Sequence, residues 1–194
     1  MSLVNVLSLN RRVNTLGVAS SLLLLYVLLS DKPWWILTGG SSGGRTILVE
    51  LSPFTFTMEI LGKSLTIPIA FYVNLAAKLS ILLAIVTTIL GSILVSKLWS
   101  KPMISVKGLI LSVLFIVGVF ALLQIAQLSV GSSNIPILGE SIMKYAFKSG
   151  EVEVVVEIPL KSEITMHYWI ALIAGVTSIP AKILQGKIAA PSKR

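Results

Sequence analysis

The chain has 194 residues, 55% of them hydrophobic and 12% charged, with a mean hydropathy of +0.92. A soluble domain of this composition would leave large apolar patches in water, so an integral membrane protein is expected. Its formal charge of +8 is not gathered into a basic stripe interleaved with aromatics, which argues against nucleic acid, and the absence of cysteine excludes disulfides and thiolate metal sites.

Residues 1–12 end in Arg11 and Arg12 and precede an apolar run over residues 13–30. That run is about 18 residues, or roughly 27 Å of helix, close to a hydrocarbon core. No small-x-small cleavage pattern follows before Asp31 and Lys32, so it reads as a retained anchor. Residues 31–67 have the composition of strands. Trp34 to Thr38 form a short one, Gly39 to Gly44 (GGSSGG) form a flexible hairpin tip, and Thr46 to Leu51 and Phe54 to Ile60 flank Ser52-Pro53. No Lys-Ser/Thr pair or helix start follows the glycines, so a phosphate loop is disfavoured.

A second span lies within residues 68–96, followed by a loop at 97–107, and a third span occupies 108–130. In residues 131–166, Glu151, Glu153 and Glu157 alternate with valines, predicting a strand over 151–158 with one wet face. Residues 142–147 are expected as a short helix. The fourth span covers residues 167–184, and 185–194 form a basic tail. Lys63-Ser64 with Thr66, and Lys161-Ser162 with Thr165, precede spans two and four, an echo that admits a parallel duplication.

All eight acidic residues (Asp31, Glu50, Glu59, Glu140, Glu151, Glu153, Glu157 and Glu163) fall in the two strand-forming segments. Six basic residues accompany them, for a net of −2, whereas the segments on the other side hold nine basic residues and no acid. The positive-inside bias therefore puts both termini in the cytoplasm and the two strand segments outside. The expected fold is a four-transmembrane-helix bundle with an extracytoplasmic β-sheet formed by the two external loops.

Small residues recur every four positions at Ser80, Ala84, Thr88 and Ser92, and Gly118, Ala121, Ala171 and Gly175 are the matching positions for close helix packing. Trp34, Trp35, Tyr72, Tyr168 and Trp169 stand at the span ends, where amphipathic rings form an interfacial belt. Lys78 is the sharpest case of a charge inside a span, and it either snorkels to the outer interface or centres a polar cluster with Asn74, Gln124, Gln127, His167 and Glu163. A single histidine without cysteine cannot build a haem pair or a zinc site, and no acid pair, nucleophile elbow or nucleotide fingerprint occurs, so no metal, cofactor or enzymatic activity is expected.

The order helix, several strands, helix, helix, strand, helix, with Trp34 and Trp35 just after the first span, resembles the claudin and peripheral-myelin-protein layout. The Gly-Leu-Trp and cysteine pair of that family are absent here. The resemblance implies four spans carrying an extracellular sheet that mediates adhesion or partner contacts. The cysteine-free, lysine- and isoleucine-rich composition suits an archaeal membrane protein. The leading functional expectation is a non-enzymatic membrane protein that contacts lipid and either copies of itself or a larger membrane assembly. An accessory subunit of a membrane enzyme, lining a quinone or proton path with Lys78 and Gln124, is the alternative, and a small transporter or channel subunit is a third.

Overall fold

The computed structural model describes residues 13–41, 44–95, 99–130, 135–149 and 152–188. Helices α1 (Thr15–Ser30), α2 (Pro68–Ile93), α3 (Ser100–Met103), α4 (Lys107–Val130) and α5 (Met166–Ile188) alternate with strands β1 (Trp35–Ser41), β2 (Gly44–Leu51), β3 (Phe56–Ile60), β4 (Lys63–Ser64), β5 (Gly139–Ser149) and β6 (Val152–Ile164). Three helical runs, Pro68–Ile93, Ser100–Leu128 and Met166–Gln185, are long and apolar enough to cross a membrane, and Thr15–Ser30 is a shorter apolar helix. Of the basic residues used to orient the chain, Arg11, Arg12, Lys97, Lys193 and Arg194 lie outside the described residues, as does Glu151.

The limits of α1 have local causes. Asn14 accepts from Gly17 N through its side-chain oxygen at 3.1 Å, the geometry of an N-cap. At the other end Asp31 adopts φ 49, a left-handed conformation that stops the helix, and Pro33 cannot resume it.

The chain divides into two compact units. The first comprises residues 1–29, 79–110 and 170–194 and is built from helices. Its interior mixes small and polar residues with aliphatic ones: Gly17, Ser20 and Ser21 of α1, Ala84, Thr88, Gly91 and Ser92 of α2, and Ala171, Ala174, Gly175 and Ser178 of α5 are buried, together with Leu24, Val27, Ile81, Ile85, Val95 and Ile104. Other large apolar side chains point outward, among them Leu22, Leu83, Ile173 and Val176, each at least half exposed. Small residues at the helix contacts and apolar ones on the outside are compatible with a lipid solvent, where close backbone approach favours helix packing.

An amide pair ties the helix ends of this unit together. Asn14 donates from Nδ2 to Ala181 O (2.7 Å) and to Gln185 Oε1 (2.8 Å), while its backbone N–H donates to Ser92 O (3.0 Å). Gln185 in turn donates from Nε2 to Gly91 O (2.8 Å) and Ser100 Oγ (2.9 Å). Gln185 is fully buried, and each bond offsets the desolvation of an amide that would otherwise be unsatisfied.

The second unit comprises residues 30–78 and 111–169. Its six-stranded antiparallel sheet has the order β4-β3-β2-β1-β6-β5, so the two long loop segments form one sheet joined through β1 and β6. Trp35, Leu37, Leu51 and Leu160 of the sheet pack with Val119 and Leu123 of α4 as the core. Gly39 leaves room for this packing, since a Cβ there would stand 2.7 Å from Leu160 Cδ2. The flexible tip expected over Gly39 to Gly44 is shorter, since Gly39, Gly40 and Ser41 are paired residues of β1 and Gly44 opens β2, while Ser42 and Gly43 lie outside the described residues. Strands β3 and β4 are joined by Leu61 (φ 52) and Gly62 (φ 73), a two-residue hairpin turn with both φ positive.

Two expectations are corrected here. Residues 142–147 are not a short helix but part of β5, which pairs with β6 along its whole length from Gly139↔Ser162 to Ser149↔Val152. Period-two alternation of Glu140, Ile142 and Lys144 with Ser141 and Met143 explains the outcome, because it presents alternate residues to opposite faces of the sheet. The strand expected over 151–158 runs on to Ile164, and Pro159 is tolerated where pairing with β1 ends at Leu160. The Lys-Ser echo occupies unlike positions, an edge strand in β4 and an interior strand in β6.

The helix-packing residues divide in the same way. Ala84, Thr88, Ser92, Ala171 and Gly175 are buried, while Ser80 and Ala121 are exposed and a Cβ at Gly118 would meet nothing within 4 Å. A four-residue repeat drifts by about 40° per step around a 3.6-residue helix, so one neighbour cannot cover the whole stripe. A Cβ at Gly175 would lie 2.6 Å from Leu109 Cα, against backbone that cannot swing aside. Gly175→Ala is therefore expected to destabilise the protein by about 1–3 kcal/mol and Gly118→Ala by less than about 0.5 kcal/mol; unfolding followed by circular dichroism in detergent measures the difference.

Candidate functional site

The polar cluster expected around Lys78 does not assemble. Lys78 Nζ instead pairs with Asp31 at 3.0 Å, where α1 ends, and both side chains are partly exposed. Asn74 is committed elsewhere: its amide nitrogen donates to Pro53 O (3.3 Å) and its oxygen accepts from Phe56 N (3.2 Å), which pins the β2–β3 corner to α2. Ser52 closes that corner by accepting from the N–H groups of Phe54 and Thr55 through Oγ. Gln127 donates to Ile135 O at 3.1 Å, Gln124 and Glu163 are exposed, and His167 is half-buried. A cleft of about 380 Å³ beside Asn74 is lined by Thr55, Thr57, Ser64, Phe71 and other uncharged residues. It contains no acid, base or metal ligand.

The aromatic belt is likewise split. Tyr72 and Trp169 are exposed, as interfacial rings are, but Trp34, Trp35 and Tyr168 are buried. Trp34 packs edge-on against Phe54 (5.6 Å), Phe115 (5.2 Å) and Tyr168 (5.9 Å). These favourable ring geometries fill the junction of β1 with the helices of its unit. Trp35 belongs to the sheet core and uses its indole N–H structurally, donating to Ile137 O at 2.7 Å.

That bond is one of three holding the approach to β5. Gln127 of α4, Ser162 of β6 and Trp35 of β1 donate to the consecutive carbonyls of Ile135, Pro136 and Ile137, at 3.1, 2.7 and 2.7 Å. An irregular segment is thereby given the partners that secondary structure would supply. At the start of β1, Thr165, which follows β6, extends the β1–β6 ladder by donating from its backbone to Trp34 O (2.9 Å) and from Oγ1 to Pro33 O (2.6 Å). The latch sets the position of β5, the outermost strand of the sheet.

β5 is the most distinctive surface of this unit. It has 11 residues, whereas β4 at the other edge has two. Glu140, Ile142 and Lys144 share one face of the strand and are all exposed, Ile142 by 57%. Across the hairpin, Lys144 Nζ meets Glu157 at 2.8 Å and Lys161 Nζ meets Glu140 at 3.7 Å. The Glu157 carboxylate, by hydrogen bonding and by charge, holds the Lys144 ammonium pKa above the usual lysine value. Exposed ion pairs contribute little to stability, so this row matters for what it presents rather than for what it holds together.

No known protein family matches the chain, and no curated protein does. Among the described residues no group of three His, Cys, Asp or Glu side chains converges as a metal site would require. Sequence reasoning missed the Asn14–Gln185 pair and the β5 edge. A polar residue capping an apolar run and a lone amide near the end of the last one were the available signals for the first. Alternation of Glu140, Ile142 and Lys144 was the signal for the second.

Two outcomes follow for stability. Trp35→Phe removes the donor to Ile137 O and is expected to cost about 1–3 kcal/mol, against less than about 0.5 kcal/mol for Trp169→Phe, read by denaturant unfolding in detergent. Lys78→Leu is expected to change stability by no more than about 1 kcal/mol, and a larger loss in the same assay would show Lys78 to be more than a partly exposed ion pair.

Proposed function

We propose that the chain is a non-enzymatic integral membrane protein whose β-sheet lies outside the membrane and joins copies of the protein to one another or to a larger membrane assembly. The observation that carries this reading is the inequality of the sheet's two edges. One edge is reduced to the two residues of β4, while the other offers the 11 residues of β5. Natural sheets shorten or cover an edge that must not pair, and an uncovered long edge is a site for strand addition. The charge map supports the placement of the sheet. The acids all fall in the two segments that supply its strands, whereas nine basic residues and no acid fall in the segments on the other side. Both termini are then cytoplasmic, and the outward apolar faces of the helices contact lipid.

The test is purification of the full chain in a mild detergent with the particle mass measured by light scattering. A self-oligomer or a defined complex is expected. A monodisperse single chain without co-purifying protein would overturn the proposal, and a bound haem or redox subunit would replace it with an accessory role in a membrane enzyme.

A further inference from the structure

Resting on the reading that the sheet is an association surface, we infer that its partner is a second copy of the same chain, paired antiparallel through β5 with Ile142 on the two-fold axis. The argument is charge complementarity along the exposed edge. On β5 the outward series is Glu140, Ile142, Lys144, which inverts into its own complement when the strand is turned end for end. With Ile142 opposite Ile142 of the second copy, each Glu140 faces a Lys144 of the other chain, and each Lys144 a Glu140.

The complementarity extends past the two edge strands. Within one chain Glu140 is in register with Lys161, Ile142 with Pro159 and Lys144 with Glu157. Pairing across the axis therefore produces rows that run Lys161, Glu140, Lys144, Glu157, with the last two residues from the second copy. Every neighbour in such a row has the opposite sign, and the row between them is apolar, from Pro159 through two facing isoleucines to the second Pro159. Cross-strand pairs of opposite charge or of apolar side chains each favour one register over its alternatives.

Other registers lose this match. Centring the axis on Lys144 sets that lysine against itself, and centring it on Glu140 opposes two carboxylates. Centring it on Ser141 or Met143 leaves Glu140 and Lys144 facing uncharged residues. A strand on some other partner would need its own complementary series, whereas a second copy brings one by symmetry. The resulting sheet has 12 strands, twice the six of one chain, and it pairs the Gly139–Tyr145 stretch of each β5 with the other.

Disulfide cross-linking tests the pairing, because the chain has no cysteine and any introduced thiol is unique. Residues facing each other across antiparallel strands have Cα atoms about 4.5–5.5 Å apart, within the span of a disulfide. Ile142→Cys in the otherwise unaltered full chain, purified in mild detergent and gently oxidised, is expected to give a covalent dimer. Leu61→Cys, 73% exposed at the β3–β4 turn, is the control and is expected to give none above the collision background.

Added to Ile142→Cys, either Glu140→Lys or Lys144→Glu puts like charges together at both contacts and is expected to lower the dimer yield roughly tenfold. Mixing the two variants restores opposite charges at both contacts, so a cross-linked heterodimer should return to near the parent yield. A general loss of folding would not be rescued by mixing. Equal cross-linking of Glu140→Lys and its parent, or no recovery on mixing, overturns the register. If Ile142→Cys forms no dimer while the particle mass still exceeds one chain, the β5 pairing falls and the association reading stands. If the particle is a lone monomer, both fall.

Discussion

Everything in the second unit depends on the pairing of β1 with β6. Those two strands are in register from Trp35↔Ile164 to Gly39↔Leu160, and without them the loop segments would be two separate hairpin systems. A two-stranded ribbon is marginal in water, so the β5–β6 hairpin gains its support through this one ladder. Trp34 and Trp35 stand at the start of β1 for the same reason. One fills the aromatic junction with Phe115 and Tyr168, and the other supplies both core surface and a hydrogen bond to the segment leading into β5.

The first unit solves a different problem with different chemistry. Its helices meet through glycine, alanine and serine beside a few buried aliphatic residues such as Val27, Ile81 and Ile104, and polar contacts between them add specificity. Asn14 and Gln185 illustrate the arrangement, since between them they engage Gly91, Ser92, Ser100 and Ala181 at backbone or hydroxyl oxygens. The close approaches at Gly17 to Ser92 and at Gly175 to Leu109 bring the backbones near enough for those bonds to form. Hydrogen bonding and small-residue packing are thus one device.

The long helices were legible because a long apolar run with few charges has few other solutions, whereas the short α3 falls in residues 97–107, expected as a loop. Most strands of residues 31–67 were legible from alternation and turn residues. The strand β5 was harder to read, since Ile142, Met143, Tyr145 and Phe147 on either side of Lys144 carry no proline or glycine and resemble a short helix as much as a strand. Only the 11-pair ladder with β6 decides it. Aromatics beside a span are ordinarily interfacial and exposed; Tyr72 and Trp169 are exposed, but Trp34 and Trp35 are buried, because their strand passes directly into the core. The partner of Lys78 was likewise hidden. Asp31 is 47 residues away in the chain, and a contact between the end of one helix and the body of another leaves no periodic trace in sequence.

The same β1–β6 ladder imposes an order on synthesis. Its paired residues are 121 to 129 positions apart, so β1 through β4 are made long before the strand that completes them. During that interval the sheet has an open edge at β1, and α2, α3 and α4 are made before β6 can reach it. Loop closure over such a distance is slow, and an unpaired edge is the part of a sheet most prone to wrong partners. The aromatic anchoring of Trp34 cannot be completed early either, because Phe115 and Tyr168 are still to come. Biogenesis of this protein is therefore a waiting problem, in which the first half of the sheet must be kept unengaged until β6 has been made.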